Sequence, residues 1–175
     1  MKIFISGQPG CGKTTLVKEL IKNYKGSVSG FITEEIRNNG RIGFKIKDIQ
    51  TEKEGVLASI NLKEGPKVGK YFVNVKDIEE IAIPSLERVA SIYFIDEIGA
   101  MELKSKRFEE MLETALSSDK NIIATLHRNY VNIYKNYGEV IWLTRENWNE
   151  IFEKIKSRLN ENQNKEFNNR NWYCR

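Results

Sequence analysis

Cysteine and histidine are scarce in this chain of 175 residues. Cys11 and Cys174 are the two cysteines, near opposite ends of the sequence, and His127 is the single histidine. So few residues of these types offer neither a disulfide framework nor the ligand spacing of a zinc site. We therefore expect reduced thiols and no structural zinc.

Long apolar runs are also absent. No stretch approaches the roughly 20 apolar residues that span a bilayer. The short apolar run after Lys2 has neither the length nor the small-residue cleavage site of a signal peptide. These absences exclude an integral membrane protein and a secreted one, so we expect no membrane partner and a cytoplasmic location.

Charge of one sign is not concentrated anywhere. The net charge is +4, from 28 Lys and Arg against 24 Asp and Glu, and both signs are interspersed. A nucleic-acid-binding protein usually carries a basic stripe, so nucleic acid is not an expected partner. The modest excess of positive charge suits a small anionic ligand. No feature indicates a particular protein partner.

Length and composition predict one globular domain. Hydrophobic residues make up 40% and charged residues 30% of the chain, which are ordinary globular values. We place this domain at residues 1–159. The Asn-rich segment 160–175 is predicted to be a disordered tail, in which Trp172 and Tyr173 are the residues able to dock.

Glycine, in contrast, is concentrated near the N-terminus. Residues 7–14 read GQPGCGKT and match the pattern G-x-x-x-x-G-K-[ST] between an apolar strand at 2–6 and an amphipathic helix. Glycines let successive backbone N–H groups point inward, and the helix N-terminus adds unpaired donors. The pattern therefore predicts a phosphate-binding loop (P-loop) whose nucleotide-binding residues are Gly7, Gln8, Pro9, Gly10, Cys11, Gly12, Lys13, Thr14 and Thr15.

Within this loop the side chains have distinct expected roles. Lys13 is expected to reach the β- and γ-phosphates and to act in catalysis, Thr14 to offer its hydroxyl to Mg²⁺, and Thr15 to bond the α-phosphate. A second carboxylate is needed to hold Mg²⁺, and IYFIDEIG at 92–99 supplies it at the end of a buried strand. Asp96 is the predicted metal ligand beside Thr14. Glu97 is the predicted base that activates water.

Two other reaction classes fit parts of the same pattern. Residues 96–99 also match the D-x-x-G motif of GTPases, but the only Asn-Lys pair, Asn164-Lys165, is followed by Glu-Phe and not by the expected x-Asp. A nucleotide or nucleoside kinase needs an arginine-rich lid, whereas Arg37, Arg41 and Arg107 are dispersed. A kinase is therefore the second hypothesis, and a nucleotide-dependent binding module is the third.

Four further side chains follow predicted strands near the same site. Thr125 and His127 end the strand at 120–127, and they lie beside the γ-phosphate if this strand neighbours the first one. Arg128 and Arg145 follow later elements. They are candidates for neutralising charge in the transition state of phosphoryl transfer.

Alternation of strands and helices predicts an α/β fold. We expect a mainly parallel sheet with helices on both faces and an antiparallel hairpin insertion, with its turn at Asn39-Gly40. Farther along, Asp77 and Ser85 are predicted caps of two short helices divided by Pro84.

With these motifs placed, the chain resembles the cancer-related nucleoside-triphosphatase family of the THEP type. The matching stretches are GQPGCGKTTL, GFITEEIRNNGRIGFKI and FIDEIGAMEL. The resemblance implies a RecA-like P-loop NTPase fold and slow, Mg²⁺-dependent hydrolysis of ATP, GTP and other nucleoside triphosphates with loose base selectivity. It also implies nucleotide-binding positions along the carboxylate strand, namely Ile92, Tyr93, Phe94, Ile95, Asp96, Glu97, Ile98 and Gly99.

The second matching stretch is the most specific, but it carries no assigned chemistry. Its family signature falls on Thr33, Glu34, Glu35 and Arg37. We take as a hypothesis that these side chains line the nucleotide cleft.

Overall fold

The computed structural model describes the backbone of residues 1–172 and the side chains of residues 1–163. Within this part the chain forms nine strands: β1 (Lys2–Gly7), β2 (Val28–Arg37), β3 (Arg41–Asp48), β4 (Glu54–Ser59), β5 (Lys67–Val68), β6 (Tyr71–Val73), β7 (Ile92–Ile98), β8 (Ile122–Leu126) and β9 (Glu139–Leu143). The α-helices are α1 (Lys13–Asn23), α2 (Val75–Glu87), α3 (Lys106–Ser117), α4 (Val131–Tyr134) and α5 (Trp148–Trp172).

All described strands belong to one sheet, in the order β5-β6-β4-β3-β2-β7-β8-β1-β9. The strands β2, β7, β8, β1 and β9 pair in parallel, and β8 lies between the P-loop strand β1 and the carboxylate strand β7. This confirms the predicted RecA-like α/β fold. Because parallel strands end at the same edge, β1, β7 and β8 bring their C-terminal residues together.

Helices cover both faces of this sheet. On one face, α2 and α3 pack Ile78 and Phe108 against the inward side chains of the strands. On the other, α1 and α5 contribute Leu16 and Ile155 to a second buried cluster. The parallel strands are therefore buried on both sides, which explains their nearly continuous apolar sequences.

The predicted hairpin is confirmed, and it is part of the main sheet. The first residues of β2 pair in parallel with β7, and residues 31–37 of the same strand pair antiparallel with β3. Asn39 and Gly40 have φ of 46° and 135° and make the turn. β2 therefore carries the sheet from the parallel core into the antiparallel part, and it places the hairpin beside the C-terminal end of β7.

The prediction of two short helices divided by Pro84 is wrong. A single helix, α2, contains Pro84 in its last turn. A proline here leaves the carbonyl of Glu80 without its helical donor. The Lys53 ammonium donates to that carbonyl at 3.4 Å. With this partner and only one turn left, the helix continues through the proline.

The predicted caps of this segment are also wrong. Asn74 caps α2, and its side-chain oxygen accepts the Asp77 N–H at 3.2 Å. The Asp77 carboxylate instead accepts the Val56 N–H on β4 at 2.7 Å. Ser85 is buried inside the helix and donates to the Ala82 carbonyl. Asn74 therefore caps α2, and the Asp77 side chain is occupied by a contact with the sheet.

Helix α5 continues past residue 159, the predicted end of the domain. Its backbone is helical over Trp148–Trp172. The division into a domain at 1–159 and a tail at 160–175 stays a prediction. The predicted docking of Trp172 and Tyr173 lies outside the described side chains, as does Cys174. No helix of the described chain is both long enough and apolar enough to cross a membrane.

Candidate active site

The P-loop connects β1 to α1 and requires glycine at two positions. Gly12 precedes the helix with φ of 97°, a left-handed conformation that side chains disfavour. Gly7 has φ of 155°, and a Cβ there would lie 2.4 Å from the Leu143 carbonyl oxygen on β9. The loop curves so closely that Lys13 Nζ donates to the carbonyls of Gly7 and Gln8 at 3.2 and 3.3 Å. The Lys13 ammonium is thus held within the turn of the loop.

Asp96 connects the P-loop helix to β7 and β8. Its Oδ1 accepts the Thr14 hydroxyl at 3.2 Å and the Thr125 hydroxyl at 2.7 Å. Its Oδ2 is buried and has no hydrogen-bond partner among the described residues. Burial raises the pKa of Asp96, and the hydroxyls of Thr125 and Thr14 oppose that rise.

This arrangement fits a bound Mg²⁺. A buried carboxylate oxygen without a partner is rare and calls for an explanation, and an ion is one of the common ones. The Thr14 hydroxyl next to it is a second oxygen ligand, and Mg²⁺ prefers such oxygen ligands, one or two from the protein and the rest from water and phosphates. Thr14 and Asp96 are therefore able to hold the ion together.

Glu97 lies in the same cavity as Asp96 although the two are adjacent on a strand. Neighbouring residues of a regular strand point to opposite faces, but the β7–β8 register shifts between Ile95 and Ile98. Burial, and secondarily the Asp96 charge, raise the pKa of Glu97 to about 7, while Lys13 acts in the opposite direction. A carboxyl with a pKa near 7 suits proton transfer at neutral pH.

These groups line a cavity of about 840 Å³ at the C-terminal edge of the sheet. The floor is the P-loop and the first turns of α1, one side is formed by β7 and β8, and the opposite wall comes from the β2–β3 hairpin. The lining residues are Pro9, Gly10, Gly12, Lys13, Thr14, Thr15, Lys18, Thr33, Glu34, Glu35, Arg41, Phe44, Asp96, Glu97, Thr125 and His127.

Three of the four family-signature residues on the β2–β3 hairpin line the cavity, and the fourth does not. Thr33, Glu34 and Glu35 line the cavity. Glu34 forms ion pairs with Lys18 on α1 and, at 3.1 Å, with Lys45 on β3. Arg37 does not line the cavity. It pairs with Glu35 from the outer, exposed side of the hairpin.

Other predicted binding residues lie away from the cavity. Ile92, Tyr93, Phe94 and Ile95 are buried in the sheet core, and Ile98 is buried as well. At the other end of the strand, the Tyr93 hydroxyl accepts a hydrogen bond of 2.7 Å from the Lys120 ammonium. These side chains position the carboxylates of β7 and do not line the cleft.

The two arginines considered for charge neutralisation bind the outside of the P-loop. Arg128 donates to the Gln8 side chain at 2.6 Å, and Arg145 donates to the Gly10 carbonyl at 3.3 Å. Neither lines the cavity. His127 does line it. Burial, followed by the charges of Arg128 and Lys13, lowers the pKa of His127, so its imidazole is neutral at neutral pH.

Glu102 is a buried acid that the sequence analysis missed. It is 4% exposed and lies in the short 3-10 helix after β7. A Cβ built on Gly99 would be 3.1 Å from Glu102 Oε2 and 3.6 Å from Glu97 Cδ, so the two carboxyl groups flank this glycine. Burial, and then the Glu97 charge, raise the pKa of Glu102 to about 8.

We expect Glu102→Gln to stabilise the protein at neutral and alkaline pH. The unfolded chain releases this proton near pH 4.5, whereas the folded protein keeps it until about pH 8. Wild-type stability therefore falls relative to the variant as pH rises through this window, and the difference is constant above it. Thermal melts from pH 4 to 9 measure the effect, with exposed Glu64→Gln as the control. Equal melting temperatures of Glu102→Gln and the wild type at pH 9 would contradict the buried position of Glu102.

Trp148 is a second residue without a sequence signal. Its indole Nε1–H donates to the Gly12 carbonyl at 3.2 Å, and its ring stacks on Phe152 with centroids 5.5 Å apart. Together with Arg145 on Gly10, it holds the outer carbonyls of the P-loop from the start of α5. The partner was not predictable, because 136 residues separate Trp148 from Gly12.

We expect Trp148→Phe to weaken nucleotide binding by about 3- to 10-fold. The variant keeps an aromatic ring but loses one hydrogen bond, worth about 1 kcal/mol, that holds the loop in its binding geometry. Titration with a fluorescent N-methylanthraniloyl-ADP measures the dissociation constant. Trp142→Phe is the matched control, since Trp142 is 46% exposed on β9. Equal affinities for the two variants would rule out this role.

Comparison with known proteins identifies relatives over nearly the whole chain. A family model described as NTPase matches residues 2–156. The nucleoside-triphosphatase THEP1 of Methanocaldococcus jannaschii is 44% identical over 167 residues, covering 91% of this chain and 97% of the relative. The THEP1 of Pyrobaculum aerophilum is 45% identical over 163 residues, covering 91% and 93% respectively.

Solved structures agree with this relationship. The crystal structure of THEP1 from the hyperthermophile Aquifex aeolicus superimposes with a TM-score of 0.81 and 37% identity, over 91% of this chain and 99% of that one. The solution structure of a human cancer-related nucleoside triphosphatase gives a TM-score of 0.73 and 32% identity, over 90% and 96%. By sequence and by fold, this chain belongs to the NTPase family that includes the THEP1 nucleoside-triphosphatases.

Proposed function

We propose that this protein is an Mg²⁺-dependent enzyme that hydrolyses nucleoside triphosphates to diphosphates and phosphate. The observation that carries the proposal is the position of Glu97. Its half-buried carboxyl shares one cavity with the Lys13 ammonium and with the Asp96 carboxylate that accepts the Thr14 hydroxyl. Groups suited to binding phosphate, holding a metal ion and accepting a proton thus lie in one cavity, as phosphoryl transfer to water requires. The names of the curated relatives support the same activity.

The P-loop is proposed to bind the triphosphate. Its backbone N–H groups and the N-terminus of α1 favour anions. Lys13 already lies inside the turn of the loop, where it bonds the carbonyls of Gly7 and Gln8. Lys13 also lines the cavity, so it can exchange these carbonyls for the oxygens of the β- and γ-phosphates. Thr15 lines the cavity one residue farther along and is placed for the α-phosphate.

Thr14 and Asp96 are proposed to hold Mg²⁺. The support is the unpartnered Asp96 Oδ2, next to an Oδ1 that already bonds the hydroxyls of Thr14 and Thr125. When bound, Mg²⁺ neutralises charge on the β- and γ-phosphate oxygens. Thr125, buried in β8, fixes the orientation of the Asp96 carboxylate.

Glu97 is proposed to accept a proton from the attacking water. As the water oxygen bonds to the γ-phosphorus, the bond to the β–γ bridging oxygen breaks and the nucleoside diphosphate leaves. The lost proton passes to the Glu97 carboxylate. Burial of Glu97 keeps this carboxylate poorly solvated and therefore basic. Lys13, which lines the same cavity, is proposed to stabilise the charge on the γ-phosphate oxygens.

Loose base selectivity is part of the proposal. The cavity-lining side chains belong to the P-loop, the carboxylate strands and the hairpin. None of them lies in a guanine-reading motif of the N-K-x-D type. We therefore expect ATP, GTP and other nucleoside triphosphates all to serve as substrates.

A phosphate-release assay tests this function. The purified protein is incubated with each of the four ribonucleoside triphosphates, with Mg²⁺ or with EDTA, and with or without nucleoside and nucleoside monophosphate acceptors. We expect phosphate and diphosphate in equal amounts, with Mg²⁺ and without any acceptor. Lys13→Ala, purified in the same way, measures contaminating phosphatases. Transfer only to an acceptor would identify a kinase and overturn the proposal, as would equal release by Lys13→Ala.

A further inference from the structure

We propose that Arg41, on the hairpin wall of the cavity, is the arginine that neutralises charge on the phosphoryl group while it is transferred to water. The inference rests on the proposed hydrolysis. It assigns a catalytic residue that neither the P-loop nor the carboxylate strand contains.

Arg41 is the only arginine among the described side chains that lines the cavity. Arg128 and Arg145 bond the outer side of the P-loop, and Arg107 pairs with Glu79 at the exposed surface of α3. The other cavity-lining cations are lysines, of which Lys13 lies in the P-loop and Lys18 lies on α1 and pairs with Glu34. Arg41 therefore has the position that a charge-neutralising arginine needs.

Three contacts hold the Arg41 guanidinium at the cavity wall. Its Nη1 donates to Glu35 Oε1 at 2.9 Å, its Nε donates to the Tyr71 hydroxyl at 3.1 Å, and it lies 5.2 Å from the centroid of the Phe44 ring. Arginine has five N–H donors, of which these contacts use two. The remaining donors, on a side chain 48% exposed, are available to phosphate oxygens.

Arg41 and Glu97 line the same cavity. β2 pairs in parallel with β7 up to the pair Phe31 and Ile95, and it then continues to Glu35, the partner of Arg41. The hairpin therefore carries Arg41 to the wall of the cavity that contains Glu97. Rotation about the bonds of the Arg41 side chain is proposed to bring its free N–H groups to the transferred phosphoryl group.

Glu35 does not depend on Arg41 for its charge balance. It also pairs with Arg37, which is 70% exposed and lies outside the cavity. If Arg41 turns toward the phosphate, Glu35 keeps a cationic partner, and no buried carboxylate is left unpaired. The ion pair with Arg37 therefore lowers the free energy needed for Arg41 to leave Glu35. Arg37 is also a control for Arg41, because it is an arginine that pairs with the same carboxylate.

The test compares Arg41→Ala with Arg37→Ala. For Arg41→Ala we expect kcat to fall by about 10²- to 10³-fold, the usual effect of removing one fixed donor in the transition state. Affinity for N-methylanthraniloyl-ADP should be unchanged because ADP has no γ-phosphate. Affinity for ADP with Mg²⁺ and aluminium fluoride, which mimics the transferred group, should fall together with kcat. For Arg37→Ala we expect kcat to stay within about 3-fold of the wild type, because Glu35 is exposed to water and a surface ion pair contributes about 1 kcal/mol or less.

Arg41→Met is the second variant in case the alanine variant does not fold, since its unbranched stem still packs on Phe44. Wild-type kcat in either variant would overturn the proposal. So would an equal loss of ADP and aluminium-fluoride affinity, which indicates a structural role for the hairpin. Activity of the wild-type protein is measured first, so a failure of the proposed hydrolysis is distinguished from a failure of the Arg41 assignment.

Discussion

Glu97→Gln is expected to lower kcat by about 10²- to 10⁴-fold and to leave nucleotide affinity nearly unchanged. Glutamine keeps the size and hydrogen-bonding shape of the side chain but cannot accept a proton, and a positioned base contributes a rate factor of this size. Removing a negative charge next to Asp96 also lowers the repulsion that bound phosphates meet. Affinity should therefore remain equal or increase.

Single-turnover phosphate release and titration with N-methylanthraniloyl-ATP separate the two quantities. Glu64→Gln, at an exposed position far from the cavity, is the control and should match the wild type. Wild-type turnover in Glu97→Gln would remove Glu97 from the mechanism. Loss of binding in parallel with turnover would show that Glu97 holds the nucleotide and does not activate water.

Asp96→Asn is expected to abolish Mg²⁺-dependent hydrolysis while raising the melting temperature of the metal-free protein. The variant removes one of two proposed protein ligands, and we expect a loss of at least about 10²-fold in kcat, because a bound metal contributes several kcal/mol of charge stabilisation. Stability should change in the opposite direction. Burial raises the pKa of Asp96, so its ionised form destabilises the folded protein at neutral pH.

The size of the stability gain follows from the unpaired oxygen. A buried polar group without a partner costs about 1 to 3 kcal/mol. The amide nitrogen that replaces Oδ2 also lacks a partner, so only part of this cost is removed, and we expect a gain of about 1 kcal/mol. For a protein of this length that gain raises the melting temperature by about 2 to 4 °C. Melts in EDTA and in Mg²⁺ are compared. Mg²⁺ should stabilise the wild type alone, and stabilisation of both proteins by Mg²⁺ would place the ion elsewhere.

The local parts of the site were predictable from sequence. Residues 7–14 must fold as a loop at a helix N-terminus, because glycines at fixed spacing and a following amphipathic helix leave few alternatives. The buried strand with Asp96 and Glu97 near its end was equally predictable, because its apolar run is a local pattern. Family resemblance added GFITEEIR, of which Thr33, Glu34 and Glu35 line the cavity and Arg37 does not.

The errors came from segments where tertiary contacts override local preference. Pro84 is normally a helix breaker, but it lies in the last turn of α2, and the Lys53 ammonium donates to the Glu80 carbonyl that the proline leaves without a donor. The assignment of Ile92 to Ile95 as binding residues followed family positions along a strand, and it stays a prediction. Their side chains are buried in the core. Periodicity identifies the strand correctly, but it does not say where along the strand the cavity begins.

The sequence alone predicted which groups we propose for phosphate and metal binding, since each motif is a short run whose conformation is set locally. Tertiary structure decided which distant side chains complete the site. Trp148 at the start of α5 and Arg145 in the loop before it bond carbonyls of the P-loop. Glu102 and Glu97 flank Gly99. Arg41 lines the cavity from the β2–β3 hairpin. The physical reason is the parallel sheet, which gathers the ends of separate strands at one edge and so creates contacts that no local pattern encodes.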